Sequence, residues 1–143
     1  MEASSPARLY ATLIGGTLVI GGIIGFFYSS SFGSPGTVDD VFGVLSVNGW
    51  HNLVHIVTGA LGLLLAGYAA RQYALGLGVV YLAIAIWGFV LGSGSAILDV
   101  VPVNTEDNFL HLILGLTGLA AGAATPRDKP APRRPRAADP ESA

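Results

Sequence analysis

Four stretches of this chain run without a charged side chain: residues 9–28, 52–70, 72–92 and 108–124. A helix that crosses a hydrocarbon core takes about 20 apolar residues, with about 17 at the short end. The first and third stretches reach that length as they stand. The second and fourth reach it once Asn48 and Asn104 are read as N-caps, which start each helix a turn earlier. The pattern predicts an all-α fold, an integral membrane four-helix bundle with spans over residues 9–28, 48–70, 72–92 and 104–124. Residues 1–8 precede the bundle, and residues 125–143 follow it. A cleaved leader is the competing reading of the first stretch. It fits poorly, because the apolar part of a leader is about 7–15 residues long.

A second pattern is superimposed on the first. Val47-Asn48-x-x-x-Asn52-x-x-His55-x-x-x-Gly59-x-x-Gly62 returns as Val103-Asn104-x-x-x-Asn108-x-x-His111-x-x-x-Gly115-x-x-Gly118, every matched residue 56 positions later. Gly25-Phe26 likewise aligns with Gly88-Phe89 in the first and third stretches. The chain therefore reads as two tandem helical hairpins of the same orientation, parallel repeats about an axis along the membrane normal. On a helix, Asn52, His55, Gly59 and Gly62 fall on one stripe. The glycines of that stripe let a neighbouring backbone approach closely, so the stripe is expected to face protein. Gly21-x-x-x-Gly25, Gly88-x-x-x-Gly92 and Gly118-x-x-x-Gly122 are further small-residue signatures of close helix contact. Between the helices, residues 29–47 are rich in Ser, Gly and Pro and end in an apolar patch, 38–45, which reads as a short interfacial helix. Residues 93–103 form the shorter second loop.

Composition and charge narrow the class. Of the 143 residues, 52% are hydrophobic and 11% charged, with a mean hydropathy of +0.62. Soluble domains carry about 25% charged residues. Arg8, Arg71, Arg127, Lys129, Arg133, Arg134 and Arg136 all fall on one side of a four-span topology, and Asp39, Asp40, Asp99, Glu106 and Asp107 on the other. By the positive-inside rule both termini face the cytoplasm. The Pro- and Arg-rich residues 125–143 read as a disordered basic tail, able to rest on anionic lipid. No basic run is interleaved with aromatics in the folded part, so nucleic acid is not an expected partner. The expected partners are the bilayer and a second copy or another membrane protein. Six arginines against one lysine, with abundant Ala, Gly and Pro, suggest a bacterial source of high GC content.

The Asn-x-x-His-x-x-x-Gly-x-x-Gly helix entry, the four spans and the basic tail resemble a bacterial four-helix membrane family, domain of unknown function 4383, over roughly residues 8–124. The resemblance implies a multi-pass protein of the bacterial inner membrane. It supplies no reaction, substrate or ligand.

Candidate chemistry rests on the histidines. An ionisable residue within a membrane segment is costly and marks a functional hypothesis. The candidate site residues are Asn52, His55, Gly59, Asn108, His111 and Gly115. Their bland reading is structural, with neutral His55 and His111 bonded to Asn52, Asn108 or a neighbouring carbonyl to fix the register of the bundle. A second reading is bis-histidine ligation of haem b, one imidazole from each hairpin. A third is a proton or small-solute pathway. A fourth is zinc or copper held by His51, His55, Asp107 and His111, in which His51 and His55 form an i, i+4 pair. Against that fourth reading, His51 beside Trp50 also reads as an ordinary interfacial residue. With no cysteine the chain has neither disulfides nor thiolate ligands. It carries no nucleophile elbow and no phosphate-cradling loop. The expectation is a non-enzymatic structural or accessory protein without a cofactor.

Overall fold

The computed structural model describes residues 5–126 and contains four helices: α1 (Pro6–Phe26), α2 (Gly49–Leu65), α3 (Ala70–Leu91) and α4 (Thr105–Ala124). Their starts follow from local chemistry. Ser5 caps α1, its hydroxyl accepting from Arg8 N, and Pro6 takes the first helical position, where its missing N–H costs nothing. Asn48 and Asn104 cap α2 and α4 in extended backbone, their side-chain oxygens accepting from His51 N and Asp107 N. Gly92, at φ 87°, closes α3. Helices α1 and α3 are long and apolar enough to cross a membrane, whereas α2 is apolar but has only 17 residues. It stops at Leu65, several residues short of the expected boundary, and a turn over residues 66–69 leads into α3. The basic tail expected over 125–143 lies almost wholly outside the described residues.

The connections correct the sequence reading. The apolar patch at 38–45 is not a helix. It belongs to an antiparallel hairpin of β1 (Asp39–Val41) and β2 (Leu45–Val47). A matching hairpin, β3 (Ser95–Ile97) with β4 (Val101–Val103), fills the second loop. Both reverse through a turn whose two central residues have positive φ: Phe42 (54°) and Gly43 (71°) in one, Leu98 (54°) and Asp99 (55°) in the other. That is the φ pattern of a type I′ turn, which matches the strand twist. Each element of the second hairpin lies 56 positions after its counterpart.

Packing is tightest within the pairs α1–α2 and α3–α4, and glycine makes it possible. A Cβ on Gly15 would come 2.8 Å from Gly59 O, and one on Gly59 would come 2.5 Å from Gly15 O. In the other pair, a Cβ on Gly78 would lie 3.0 Å from Gly115 O. Gly25 and Gly88 bear directly on the amide groups of Asn52 and Asn108. The small-residue signatures expected at Gly21 and Gly92 do not act this way, because open space surrounds both. The contact glycines of α1 are Gly15, Gly22 and Gly25, spaced to keep one face toward α2.

The two halves then exchange matched hydrogen bonds. Tyr10 Oη donates to Leu114 O at 2.7 Å, and Tyr73 Oη donates to Thr58 O at 3.0 Å. Asn48 Nδ2 donates to Val100 O at 2.6 Å, and Asn104 Nδ2 donates to Val44 O at 2.7 Å. Gly118 and Gly62 make room for the rings of Tyr10 and Tyr73 respectively. What one half gives, the other returns, as across an isologous interface.

Burial sorts the side chains by size as well as by polarity. The interior holds small residues, three tyrosines and a polar set that includes Asn48, Asn52, Asn108, Asp107, His51 and His111. Large aliphatic side chains stand outside along every helix, among them Leu13, Leu64 (68% exposed), Val90 (79%) and Ile113. Trp87 is 44% exposed.

Candidate functional site

The polar interior collects at the end of the bundle closed by the two β-hairpins. Asn48 does three things there. Its oxygen caps α2, while its amide nitrogen donates to Pro35 O at 2.7 Å and to Val100 O. Asn104 caps α4 and donates to Val44 O and to Ser46 Oγ at 3.0 Å. Asn52 Nδ2 donates to Ser29 O at 2.8 Å, and Ser29 Oγ donates to Thr37 O at 2.6 Å. These bonds satisfy backbone groups of irregular loop that would otherwise be costly to bury. The Oδ1 atoms of Asn52 and Asn108 are buried without a hydrogen-bond partner among the described residues, each facing the glycine opposite.

All three histidines of the chain lie within this end. His51, in the first turn of α2, is 2% exposed and so is not the interfacial residue suggested by its neighbour Trp50. Trp50 is the exposed one of the pair, donating through Nε1 to Phe32 O at 3.1 Å and meeting the Phe32 ring edge-on at 5.0 Å. His55 follows one turn later, partly buried, and His111 approaches from α4 at 4% exposure. One ring nitrogen from each of the three can be chosen so that all lie within 4.8 Å of one another. His51 Nε2 and His55 Nε2 are 3.2 Å apart. The ring centroids are separated by 4.4 Å (His51–His55), 5.9 Å (His51–His111) and 6.2 Å (His55–His111). Tyr81 of α3 backs the group, edge-on to His111 at 5.1 Å and nearly parallel to His55 at 6.4 Å.

The proton on His51 can be assigned from its partner. Nδ1 is 2.9 Å from Ser46 O, and a carbonyl only accepts, so Nδ1 carries the hydrogen and Nε2 presents a lone pair. Ser46 is itself fixed on its other side, since its N–H donates to Asp107 Oδ2 at 2.9 Å. Asp107 thus stands behind the histidines and is not one of the clustered groups. The bonds expected from His55 and His111 to Asn52 and Asn108 are not formed. His55 faces His51 instead, and His111 Nδ1 is buried with no partner among the described residues. Gly59 and Gly115 lie about a turn further along, in backbone contact with α1 and α3. Sequence periodicity pairs His55 with His111 and gives His51 no counterpart; the i, i+4 spacing from His55 is what brings His51 into the cluster.

The opposite end of the molecule carries Arg8 and Arg71 and gathers three helix ends. Ala7 N donates to Thr125 Oγ1 at 2.9 Å, and Arg71 Nε donates to Thr125 O at 3.2 Å.

The family described as domain of unknown function 4383 matches residues 8–124 of the chain. No curated protein and no solved structure matches it.

Proposed function

Since the chain belongs to the family described as domain of unknown function 4383, a description that assigns no chemistry, we propose from the geometry that it is a four-span integral membrane protein made of two tandem copies of one helical hairpin. In this reading both termini are cytoplasmic, the β-hairpins face the opposite side, and the role is structural or accessory rather than enzymatic. The burial pattern carries it. Leu, Ile and Val cover the outside of all four helices, while small residues, three tyrosines and, at one end, a set of Asn, Asp and His lie inside, an arrangement that suits hydrocarbon better than water. Three features support it further. Helix–helix contact runs through glycine backbones, which suits a setting where apolar side chains gain nothing by leaving lipid. Arg8 and Arg71 share one end, with Asp39, Asp40, Asp99 and Glu106 at the other. The matched bonds of Tyr10 and Tyr73 to Leu114 O and Thr58 O, and of Asn48 and Asn104 to Val100 O and Val44 O, are those expected of two copies facing across a pseudo-two-fold axis. A bacterial inner-membrane location accords with this topology.

The bis-histidine haem reading is weakened by the neighbours of the two rings. His51 lies against both His55 and His111, where a macrocycle would need an open slot.

Absence of native cysteine makes the topology directly testable. Single cysteines at Phe42, Leu98 and Tyr68, all exposed turn positions, are treated with a membrane-impermeant maleimide in right-side-out and inverted vesicles. Phe42→Cys and Leu98→Cys should label together from the outside, and Tyr68→Cys only from the inside. Labelling of the two hairpin tips from opposite faces, or release of the protein by alkaline carbonate, would refute the four-span reading.

A further inference from the structure

We propose that His51, His55 and His111 form a binding site for one divalent first-row transition-metal ion, with Asp107 as a positioning residue acting through the Ser46 peptide. Three observations meet here. First, the spacing suits a metal. Imidazole nitrogens sharing a tetrahedral zinc at about 2.0–2.1 Å from the ion lie about 3.3 Å apart. His51 Nε2 and His55 Nε2 are 3.2 Å apart, and the third nitrogen falls inside the 4.8 Å limit of the group. Closure onto one ion brings the third nitrogen from within 4.8 Å to about 3.3 Å of its partners.

Second, the lone pairs have too few protons to satisfy them. His51 Nδ1–H is committed to Ser46 O, so His51 Nε2 can only accept. A proton on His55 Nε2 satisfies that one contact, while His111 Nδ1, on a residue 4% exposed, is left without a partner among the described residues. A buried ring nitrogen without a partner is costly. A cation that accepts three lone pairs at once removes the deficit.

Third, the surroundings have the layout that supports metal-bound histidine. Ligating imidazoles usually donate their remote N–H to a carbonyl or carboxylate, which fixes the tautomer and raises ligand basicity. His51 donates to Ser46 O, and the same peptide unit's neighbour, Ser46 N–H, is clamped by the Asp107 carboxylate. Asp107 occupies the position that matches His51 in the other half of the chain. At this position one half of the chain supplies a ligand and the other the clamp on Ser46 N–H. A single ion sits off the axis rather than two ions across it. Three nitrogen ligands and no thiolate suit zinc or copper, and three protein ligands leave one coordination position open.

The test uses full-length protein purified in detergent with an affinity tag free of histidine, stripped with chelator, and titrated with Co²⁺ and then Zn²⁺. The expected result is one equivalent of cobalt giving the intense visible bands of a tetrahedral site, displaced by one equivalent of zinc. His51→Gln, His55→Gln and His111→Gln should each weaken zinc binding at least tenfold at unchanged helical circular dichroism. Asp107→Asn should weaken it about 10–100-fold, the range for loss of an outer hydrogen-bond partner, while keeping the tetrahedral cobalt spectrum. No cobalt uptake, a weak octahedral spectrum, or zinc affinity unchanged in His51→Gln would each overturn the site. Unchanged affinity in Asp107→Asn would overturn its positioning role alone. Should a histidine variant fail to fold, the cobalt spectrum and stoichiometry of the unmutated protein decide.

Discussion

Gly15 and Gly16 are adjacent in α1, yet alanine should act on them with opposite sign. At Gly15 the added methyl would lie 2.8 Å from Gly59 O, 3.1 Å from Leu63 N and 3.3 Å from Gly62 C, all backbone atoms of α2. No side chain can rotate away, so the helices must separate locally. Overpacking of this kind costs about 1–3 kcal/mol, and rigid backbone neighbours put this case toward the upper end. The better helix propensity of alanine returns up to about 1 kcal/mol, leaving Gly15→Ala destabilised by about 2 kcal/mol. At Gly16 nothing lies within 4 Å of the new methyl. Only the propensity term remains there, so Gly16→Ala should be more stable by about 0.5–1 kcal/mol. The pair should then differ by about 3 kcal/mol, on the order of a hundredfold in the folded-to-unfolded ratio. Reversible unfolding in mixed detergent micelles, followed through helical circular dichroism and the fluorescence of Trp50 and Trp87, measures both. Gly15→Ala as stable as Gly16→Ala would refute the glycine-mediated α1–α2 contact.

Other perturbations probe separate parts of the molecule. Tyr10→Phe and Tyr73→Phe each remove one matched bond between the halves, and each should cost about 0.6 kcal/mol, the mean for interhelical bonds in membranes, in the same unfolding assay; unequal losses would argue against equivalent roles. Gly88→Ala should drive a methyl into the Asn108 amide and destabilise by about 1–3 kcal/mol, whereas Gly76→Ala, which meets open space, should not destabilise. Asn48→Ala removes a cap worth about 0.5–2 kcal/mol together with two amide bonds to the loops. Hydrogen exchange at Val100 N, bonded within the second hairpin's turn, should accelerate in that variant; unchanged protection would mean that this hairpin holds without the asparagine.

The helices were legible because their signals are local and redundant. Charge-free runs, asparagine caps and arginines at one end agree on the element count, and the observed bounds depart from the expected ones mainly at the end of α2. The hairpins were not legible. Their strands are three residues long, and the turns put Phe42 and Leu98 at positive φ, where Asn or Gly would have announced a reversal. A cross-brace of Asn48 and Asn104 holds those turns, and no window of sequence reports a bond across half the chain. Glycine spacing misled for a related reason. The x-x-x interval at Gly21 and Gly92 looks like a contact motif, but which face meets the neighbour depends on helix rotation, and that is set by Asn52 and Asn108 against Gly25 and Gly88. The histidines show both sides at once. The repeat brought His55 and His111 to equivalent places, while His51 broke the repeat and so carried no periodic signal, although its i, i+4 spacing from His55 already placed the two rings on one side of α2.

The brevity of α2 bears on the lipid around the protein. Its 17 residues rise about 25 Å, some 5 Å less than an average hydrocarbon layer. In the four-span reading proposed above, Arg71, held to Thr125 O just beyond that short helix, lies toward the acyl region, and headgroups and water follow the guanidinium down. The bilayer should therefore dimple on the basic side next to α2, and thin membranes should suit the protein better than thick ones.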